Sequence, residues 1–471
     1  MNKIIKTSLS FLLVFLLLFP YTTSIAETIN TTLDNEPITV YYSEEDYWKF
    51  KENSNISLYP LSDSSNISRL KEFIYSELKN QKSNIDISNF CTDLTTDNIS
   101  SVSTYYFDTL FENPDIFYAP NRVGISYSYN SKGNIISCKL VINYDYDTNT
   151  LNKMINTFSS KVNEIKNNYL NGITDPLQLE YEIYDYIINN TEYDLENFNN
   201  NTVPAISHTA YGSLINGVAV CDGYAKAAKL LFNIVGIESG IIISDPMNHA
   251  WNYVKINGKY YHLDLTWEDT ESETDKRKYK YFNLSDTEMS KDHQWSSIYP
   301  SCTSSAFSFL RNINKNKIFR LENKFYYLNS NTTLYSMDLY GNNKTLLNSS
   351  ISASSIVGYK DTLYLNHNNK IYEYNLSTKK LEAFKTDIAS VNSLDIFNGI
   401  LKATTSNETL KFDLKIVEDF NHDGIVNILD LSTLCLNYNI TSSSSSWKSK
   451  FDLNNDNIID IFDITILSKK L

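Results

Sequence analysis

The sequence is short of what would make it a disulfide scaffold, a nucleic-acid binder or a membrane protein. Its 471 residues hold only five cysteines, Cys91, Cys138, Cys221, Cys302 and Cys435. They are scattered, odd in number and too few to staple a chain this long. One bridge stays open as a possibility, and at least one thiol must stay free or pair with another molecule. Basic residues are in deficit, 41 against 55 acidic, for a formal charge of −14. A field of that sign repels phosphate backbones and anionic lipid, so nucleic acid is not expected as a partner. Beyond the N-terminus no stretch approaches the ~18 apolar residues of a membrane span. Aromatic residues, by contrast, are plentiful, with 35 Tyr and 23 Phe. They suffice to close sizeable cores, and the length allows about three domains at roughly 150 residues each.

Lys3 and Lys6 precede an apolar run from Leu9 to Phe19, then Pro20 and the small residues Ser24 and Ala26. This is the charged, apolar, then small layout of a secretory signal peptide cut after Ala26. A chain cut there keeps 39 basic residues against 55 acidic ones, a charge of −16. The expected location is extracellular, with no membrane span in the mature chain.

Residues 27–150 alternate helical and strand patterns and read as an N-terminal α/β region. Ser68 to Lys79 has apolar residues at helical spacing behind a Ser that can cap them. Alternation from Ile125 to Tyr146 around Lys132-Gly133-Asn134 predicts a hairpin. Helices are expected from Leu151 to about Tyr169 and from Pro176 to about Asn190, Pro176 suiting a first helical position. Nothing here points to chemistry. From about Lys317 to Leu414 the texture is strand-only, and Leu334-Tyr335 recurs as Ile371-Tyr372 and more faintly as Leu410-Lys411. Each unit ends in Asp338-Leu339, Asn375-Leu376 or Asp413-Leu414. A period near 40 predicts propeller-like blades, but only three units are visible where a closed propeller needs about four to eight, so an open arc or a small sandwich are the alternatives.

The informative block lies between. Cys221 is followed by Ala225, Ala228, Leu231, Phe232 and Val235, a helical apolar stripe ended by Gly236. Cys221 then falls at the helix start, where unpaired amides and the positive dipole end favour a thiolate and can cradle an oxyanion. Downstream, His249-Ala-Trp-Asn and Tyr261-His-Leu-Asp264-Leu-Thr-Trp267 flank Asn257-Gly258, a strong two-residue hairpin signal. In that register His249 faces Thr266 and Trp251 faces Asp264, so His249 and Asp264 are diagonal neighbours on one face. A one-residue change in loop length would put them on opposite faces. The set supports a mechanism: Cys221 attacks an acyl carbon, His249 moves the proton, and Asp264 holds the imidazole. The other four cysteines lack such context and read as packing residues; His262, on the face of Asp264, reads as a support residue.

This block resembles the transglutaminase-like superfamily, whose Cys, His and Asp occur in this chain order. The likeness runs through Val220-Cys221-Asp-Gly-Tyr-Ala-Lys-Ala, His249-Ala-Trp-Asn and Tyr261-His-Leu-Asp264-Leu-Thr-Trp267. It extends to Tyr281-Phe-Asn-Leu-Ser-Asp286, His293-Gln-Trp295, Asn190-Thr-Glu-Tyr-Asp194 and His208-Thr-Ala-Tyr211, covering roughly residues 105–300. The resemblance implies a papain-like α+β core and thiol acyl transfer on an amide or peptide, with peptidase or amidase activity favoured over crosslinking.

At the C-terminus Asp419, Asn421, Asp423, Asn427 and Asp430 fall at positions 1, 3, 5, 9 and 12 of a loop with Gly424 at position 6. Asp452, Asn454, Asp456, Asp460 and Asp463 repeat the pattern 33 residues on, with Asn457 at position 6. This is Ca²⁺-loop spacing, with the carbonyls of Ile425 and Ile458 at position 7 and Asn tolerated at position 6 because it enters the left-handed region. Position 12 is Asp where Glu is usual, which shortens the reach. Apolar segments from Leu429 to Leu436 and from Phe462 to Leu467 follow at helical spacing, without a helix before either loop. The duplicated half-hand resembles a type I dockerin, which implies two Ca²⁺ ions and a cohesin module of a scaffold protein as partner. In dockerins, positions 10 and 11 help to choose that partner; here they are Ile428, Leu429, Ile461 and Phe462, able to face either an interface or the module's own core. The Ser442–Ser446 run and the near absence of a linker after Leu414 depart from the pattern.

The expected organisation is a signal peptide (1–26), an N-terminal α/β region (27–150), a catalytic domain (151–300), an all-β propeller-like repeat region (301–415) and a small α dockerin with two Ca loops (416–471). The leading expectation is a secreted, cellulosome-associated cysteine acyl hydrolase acting on protein or peptide. Its rivals are a non-catalytic assembly component and a dockerin-borne glycoside hydrolase of polysaccharide catabolism.

Overall fold

The computed structural model describes residues 37–52, 64–91, 93–270, 279–386, 388–397, 399–414, 418–420, 426–454 and 456–471. The expected signal peptide lies outside the described residues, as do Asn421, Asp423 and Ile425 of the first acidic loop. The chain divides into two compact units, Met1–Leu110 with Tyr118–Tyr146, and Phe111–Phe117 with Asp147–Leu471. Among the described residues no helix is long and apolar enough to cross a membrane.

The first unit holds an antiparallel sheet in the order Ile38–Ser43, Arg122–Tyr129, Ile135–Val141 and Asn84–Asp86. The predicted hairpin is its centre. Gly133 turns it at φ +79, and the Asn130 side chain accepts the amides of Lys132 and Asn134. Its second strand stops at Val141, short of Tyr146. The neighbouring helix runs Ser64–Lys79 and buries Leu70, Ile74 and Leu78, spaced one turn apart. It begins four residues before the expected cap. Ser68 is an exposed interior residue of this helix.

In the second unit, helix Thr148–Ile165 runs into a wider turn through Leu170, and helix Pro176–Asn190 starts where its signals place it. Asp175 caps it by accepting the amides of Leu177 and Gln178, and Pro176 occupies the first turn. Helix Cys221–Val235 ends on Gly236 at φ +73. Strands Ser239–Ser244, His249–Ile256 and Lys259–Leu263 form an antiparallel sheet with the predicted register: Ile256 faces Lys259 and Asn252 faces Leu263. Asn257 and Gly258 both take positive φ, as a type I′ turn requires. The second strand stops at Leu263, and Leu265–Thr270 is helical. The expected pairings of His249 with Thr266 and of Trp251 with Asp264 therefore do not form.

Three antiparallel sheets follow, of four, four and three strands, covering residues 318–348, 356–385 and 391–413. The repeat seen in sequence is structural. Leu334–Asp338, Lys370–Asn375 and Thr409–Asp413 are the third strands of successive sheets, and each ends on the Asp or Asn of the motif. The first sheet is locked to helix Pro176–Asn190. Arg320, buried, bonds Glu182 at 2.8 Å and Asp185 through two nitrogens, and its guanidinium lies over the Tyr181 ring. Phe325 meets Tyr181 and Tyr279 edge-on at 5.4 and 5.5 Å. The last segment has helices Ile428–Cys435 and Ile461–Ser468 around Phe420, Leu434, Phe451, Ile459 and Leu467.

Removing one partner of a buried ion pair strands the other charge, at about 3–5 kcal/mol. Arg320→Met should therefore lower the denaturant stability of the second unit by about that much. An unchanged unfolding midpoint would show that the clamp is not stabilising.

Candidate active site

The nucleophile candidate is positioned by a short parallel pair, Glu192–Tyr193 beside Val218–Ala219. Val220 is extended and donates its amide to the Ser207 carbonyl at 3.0 Å. Cys221 opens the helix, half-buried, and the first amides of a helix have no intrahelical acceptor. Gly223 is what lets this start pack so closely: a Cβ there would lie 2.4 Å from the Ser207 carbonyl oxygen and 2.8 Å from Ala219 Cβ.

His249 begins the middle strand of the three-stranded sheet, and its ring lies 5.6 Å from those of Trp251 and Trp267. Its Nε2 is 2.7 Å from Asp264 Oδ2, and the Cys221 thiol is among the neighbours that favour its protonated form. With Nε2 taken, Nδ1 is the nitrogen left for sulfur. Asp264 follows the last strand and is fully buried. Its Oδ1 accepts the amides of Thr266 and Trp267 at 3.0 and 3.1 Å, so the carboxylate also caps the short helix. Burial opposes the charged forms of both side chains, but their attraction overrides it. Asp264 and then the thiol push His249 up to about 9, and His249 with His293 holds Asp264 well below the usual carboxylate range.

The structure thus gathers all three predicted catalytic residues. Sequence reasoning placed His293 within the family likeness but gave it no role; its Nε2 is 3.0 Å from the same Asp264 Oδ2. It stands in an irregular segment 29 residues away, so no periodicity announced it; its place in the His293-Gln-Trp295 stretch of the likeness was the available signal. Asp222, next to the thiol, bonds His208 Nδ1 at 2.9 Å and Lys226 at 3.2 Å. His262 is a support residue: its Nδ1 accepts the Trp251 indole N–H at 3.1 Å and its Nε2 meets Asp286 at 2.9 Å. All five cysteines are free thiols. Cys91, Cys138 and Cys302 are buried as expected of packing residues, but Cys435 is exposed, because its position on the two-turn helix Ile428–Cys435 faces solvent.

His249, Asp264 and His293 have metal-ligand types within reach of one another, as do His262, Asp286 and Cys302. Their N···O separations of 2.7–3.0 Å are those of hydrogen bonds. An ion with ~2.0–2.1 Å bonds would have to push the pairs apart.

In the C-terminal segment Asp419, Asp430, Asp452 and Asp463 are all buried. Asp452 accepts the amides of Asp456 and Asn457 at 3.1 and 2.9 Å, and Asn454 Oδ1 accepts the same Asp456 amide at 3.1 Å. Asn457 takes φ +72, the left-handed turn that position 6 demands. Two buried carboxylates in each loop suit a hard cation, which supplies the charge they lack. Positions 9 and 12 have a second task that the spacing concealed. Asn427 with Asp430 and Asp460 with Asp463 form capping boxes at the two helix starts. Ile428, Leu429, Ile461 and Phe462 are each more than half exposed, so they do not face the module's own core.

Residues 163–265 match the family model of the transglutaminase-like superfamily, and residues 417–471 match that of the dockerin type I domain. The chain carries a transglutaminase-like core holding Cys221, His249 and Asp264, and a type I dockerin, a calcium-binding module, holding both acidic loops. No curated protein matches the sequence. Among solved structures, a TGase is 14% identical over 37% of this chain and 47% of its own, with a TM-score of 0.23. A candidate cysteine protease from Cytophaga hutchinsonii is 15% identical over 31% of this chain and 57% of its own, at 0.18. A type II cohesin–X-dockerin complex from Acetivibrio cellulolyticus is 18% identical over 31% of this chain and 79% of the matched one, at 0.11. The chain thus spans about half the length of the first two, and likenesses this slight carry no argument.

The His249 ring should titrate with a midpoint near 9, read by NMR, because the carboxylate stabilises its protonated form. Asp264→Asn removes that charge and should bring the midpoint back toward or below the ordinary ~6.5. A midpoint that stays near 9 in the variant would show that the carboxylate is not its cause.

Proposed function

We propose that this chain is an exported, scaffold-anchored thiol acyl hydrolase of the peptidase or amidase type. One observation carries the reading: the imidazole of His249, whose protonated form the Cys221 thiol favours, is itself fixed by a buried carboxylate. In the proposed reaction Cys221 sulfur attacks the carbonyl carbon of an amide or peptide. The oxyanion is stabilised by the backbone amides at the helix start. Protonated His249 gives its proton to the leaving nitrogen as the C–N bond breaks, leaving a thioester. His249 then takes a proton from water, whose oxygen attacks the thioester, and the carboxylic acid leaves as the thiolate and imidazolium return. Asp264 keeps the ring oriented and offsets its charge. The intact relay speaks against a purely structural role for the core, and the acidic clusters at the C-terminus are better used on Ca²⁺ than on sugar hydrolysis.

The remaining assignments belong to the same proposal. Residues 1–26 act as the signal peptide, 27–150 as an N-terminal region, 151–300 as the catalytic domain, 301–415 as an open propeller-like arc, and 416–471 as the dockerin. Each acidic loop holds one Ca²⁺. Asp452, Asn454, Asp456, the Ile458 carbonyl, Asp460 and Asp463 hold one, and Asp419, Asn421, Asp423, the Ile425 carbonyl, Asn427 and Asp430 hold the other. The ions fix the loops and lessen the chain's negative charge. Ile428, Leu429, Ile461 and Phe462, exposed on two helices, then offer an apolar surface to a cohesin, in a cellulosome-like setting outside the cell.

Peptide and amide hydrolysis by the full chain should fall by at least ~10³-fold in Cys221→Ala and on thiol alkylation, since removing a catalytic nucleophile leaves only residual binding effects. Normal turnover by the variant would refute the mechanism. Capture on a cohesin should be lost in a chelator and restored by added Ca²⁺. Capture that ignores the chelator would refute the calcium-held anchor.

A further inference from the structure

Asp264 is not the end of the hydrogen-bonded chain. His293 is fully buried, with Nε2 3.0 Å from Asp264 Oδ2 and Nδ1 2.7 Å from Asp292 Oδ1. Each ring nitrogen therefore faces a carboxylate oxygen. A neutral imidazole has one N–H and one lone pair, so it can donate to only one of them. Its bare nitrogen would then sit against the lone pairs of the other carboxylate at hydrogen-bond distance, which is repulsive. An imidazolium donates to both. Protonating a carboxyl group instead is the poorer solution. Asp264 already accepts from His249 and from two backbone amides, and Asp292 is partly exposed to water and accepts the Tyr281 hydroxyl at 2.9 Å.

Resting on the acyl-transfer reading of Cys221, we infer that His293 is a positioning residue: a buried imidazolium that shares Asp264 Oδ2 with His249 and carries the relay on to Asp292. The order is Cys221, His249, Asp264, His293, Asp292. The groups around the second imidazole are consistent with this. The rings of Trp267, Trp251 and Tyr281 lie at 4.2, 5.1 and 5.4 Å, and His249 at 5.7 Å. The neighbouring titratable groups are Asp264, Asp292, His249, Tyr281 and, further along the sheet, His262, which burial keeps in its neutral form. Two carboxylates thus balance two imidazolium rings, and Asp264 cannot swing away from His249 while its oxygen is held from the other side.

Sharing one carboxylate oxygen has a consequence for pH dependence. A second cation 5.7 Å away partly cancels the field that Asp264 exerts on His249. His293→Gln keeps an amide donor for Asp264 but removes the charge. It should retain folding and most of KM, lower kcat, and raise the alkaline limb of kcat/KM by about one pH unit. His293→Phe keeps bulk without a donor, frees Asp264, and should cost at least tenfold more in kcat than His293→Gln. A merely structural role would lower stability and leave the limb in place.

The decisive readout needs no activity. In the full chain labelled with ¹⁵N-histidine, which holds six histidines, both ring nitrogens of His293 should resonate as protonated at pH 7. The resonances are assigned by their shift in Asp292→Asn. One unprotonated ring nitrogen at pH 7, or an alkaline limb unmoved in His293→Gln, would overturn the inference. If instead Cys221→Ala retains full activity while His293 is doubly protonated, the acyl-transfer reading fails and the charge assignment stands.

Discussion

A single buried carboxylate organises the transglutaminase-like core. Asp264 is surrounded by four donors, two imidazoles on one oxygen and two backbone amides on the other. An ionised carboxylate taken out of water is costly unless its lone pairs are filled, and a saturated network inside low dielectric is correspondingly rigid. The same group therefore ends the hairpin, starts the helix Leu265–Thr270, and fixes the ring that faces Cys221. These are not separable tasks, because each donor is fixed by the oxygen it shares.

The pairing of His249 with Asp264 was legible because its geometry is local. Asn257-Gly258 sets a two-residue turn, and the register it fixes leaves Asp264, the residue after the second strand, beside the strand that His249 begins. The helix start at Cys221 follows from an apolar stripe with a Gly at its end. What was not legible came from tertiary approach. His293 reaches Asp264 from an irregular segment, and Arg320 reaches Glu182 and Asp185 across more than 130 residues. No spacing rule encodes either. The misplaced Ser68 cap and the short strand after Tyr261 share a cause: local signals fix that an element exists better than where it ends, because neighbouring packing decides the boundary.

The C-terminal module answers the same physical problem with different chemistry. Its buried aspartates also need positive charge, and the loops wrap amides around them. In the core the charge comes from the protonated His249 ring, in the dockerin from Ca²⁺. The three-sheet region between them is joined to the core by Arg320 and by the packing of Phe325 on Tyr181 and Tyr279.

The central claim is that one thiol of five is a nucleophile because the relay makes it so. Intact-mass and peptide mapping after brief exposure to an activated acyl ester such as p-nitrophenyl acetate tests it directly. The account predicts a single acetyl group on Cys221, none on the exposed Cys435, and loss of labelling in His249→Ala. Equal labelling of Cys435 and Cys221, or labelling of Cys221 that is unchanged in His249→Ala, would contradict it.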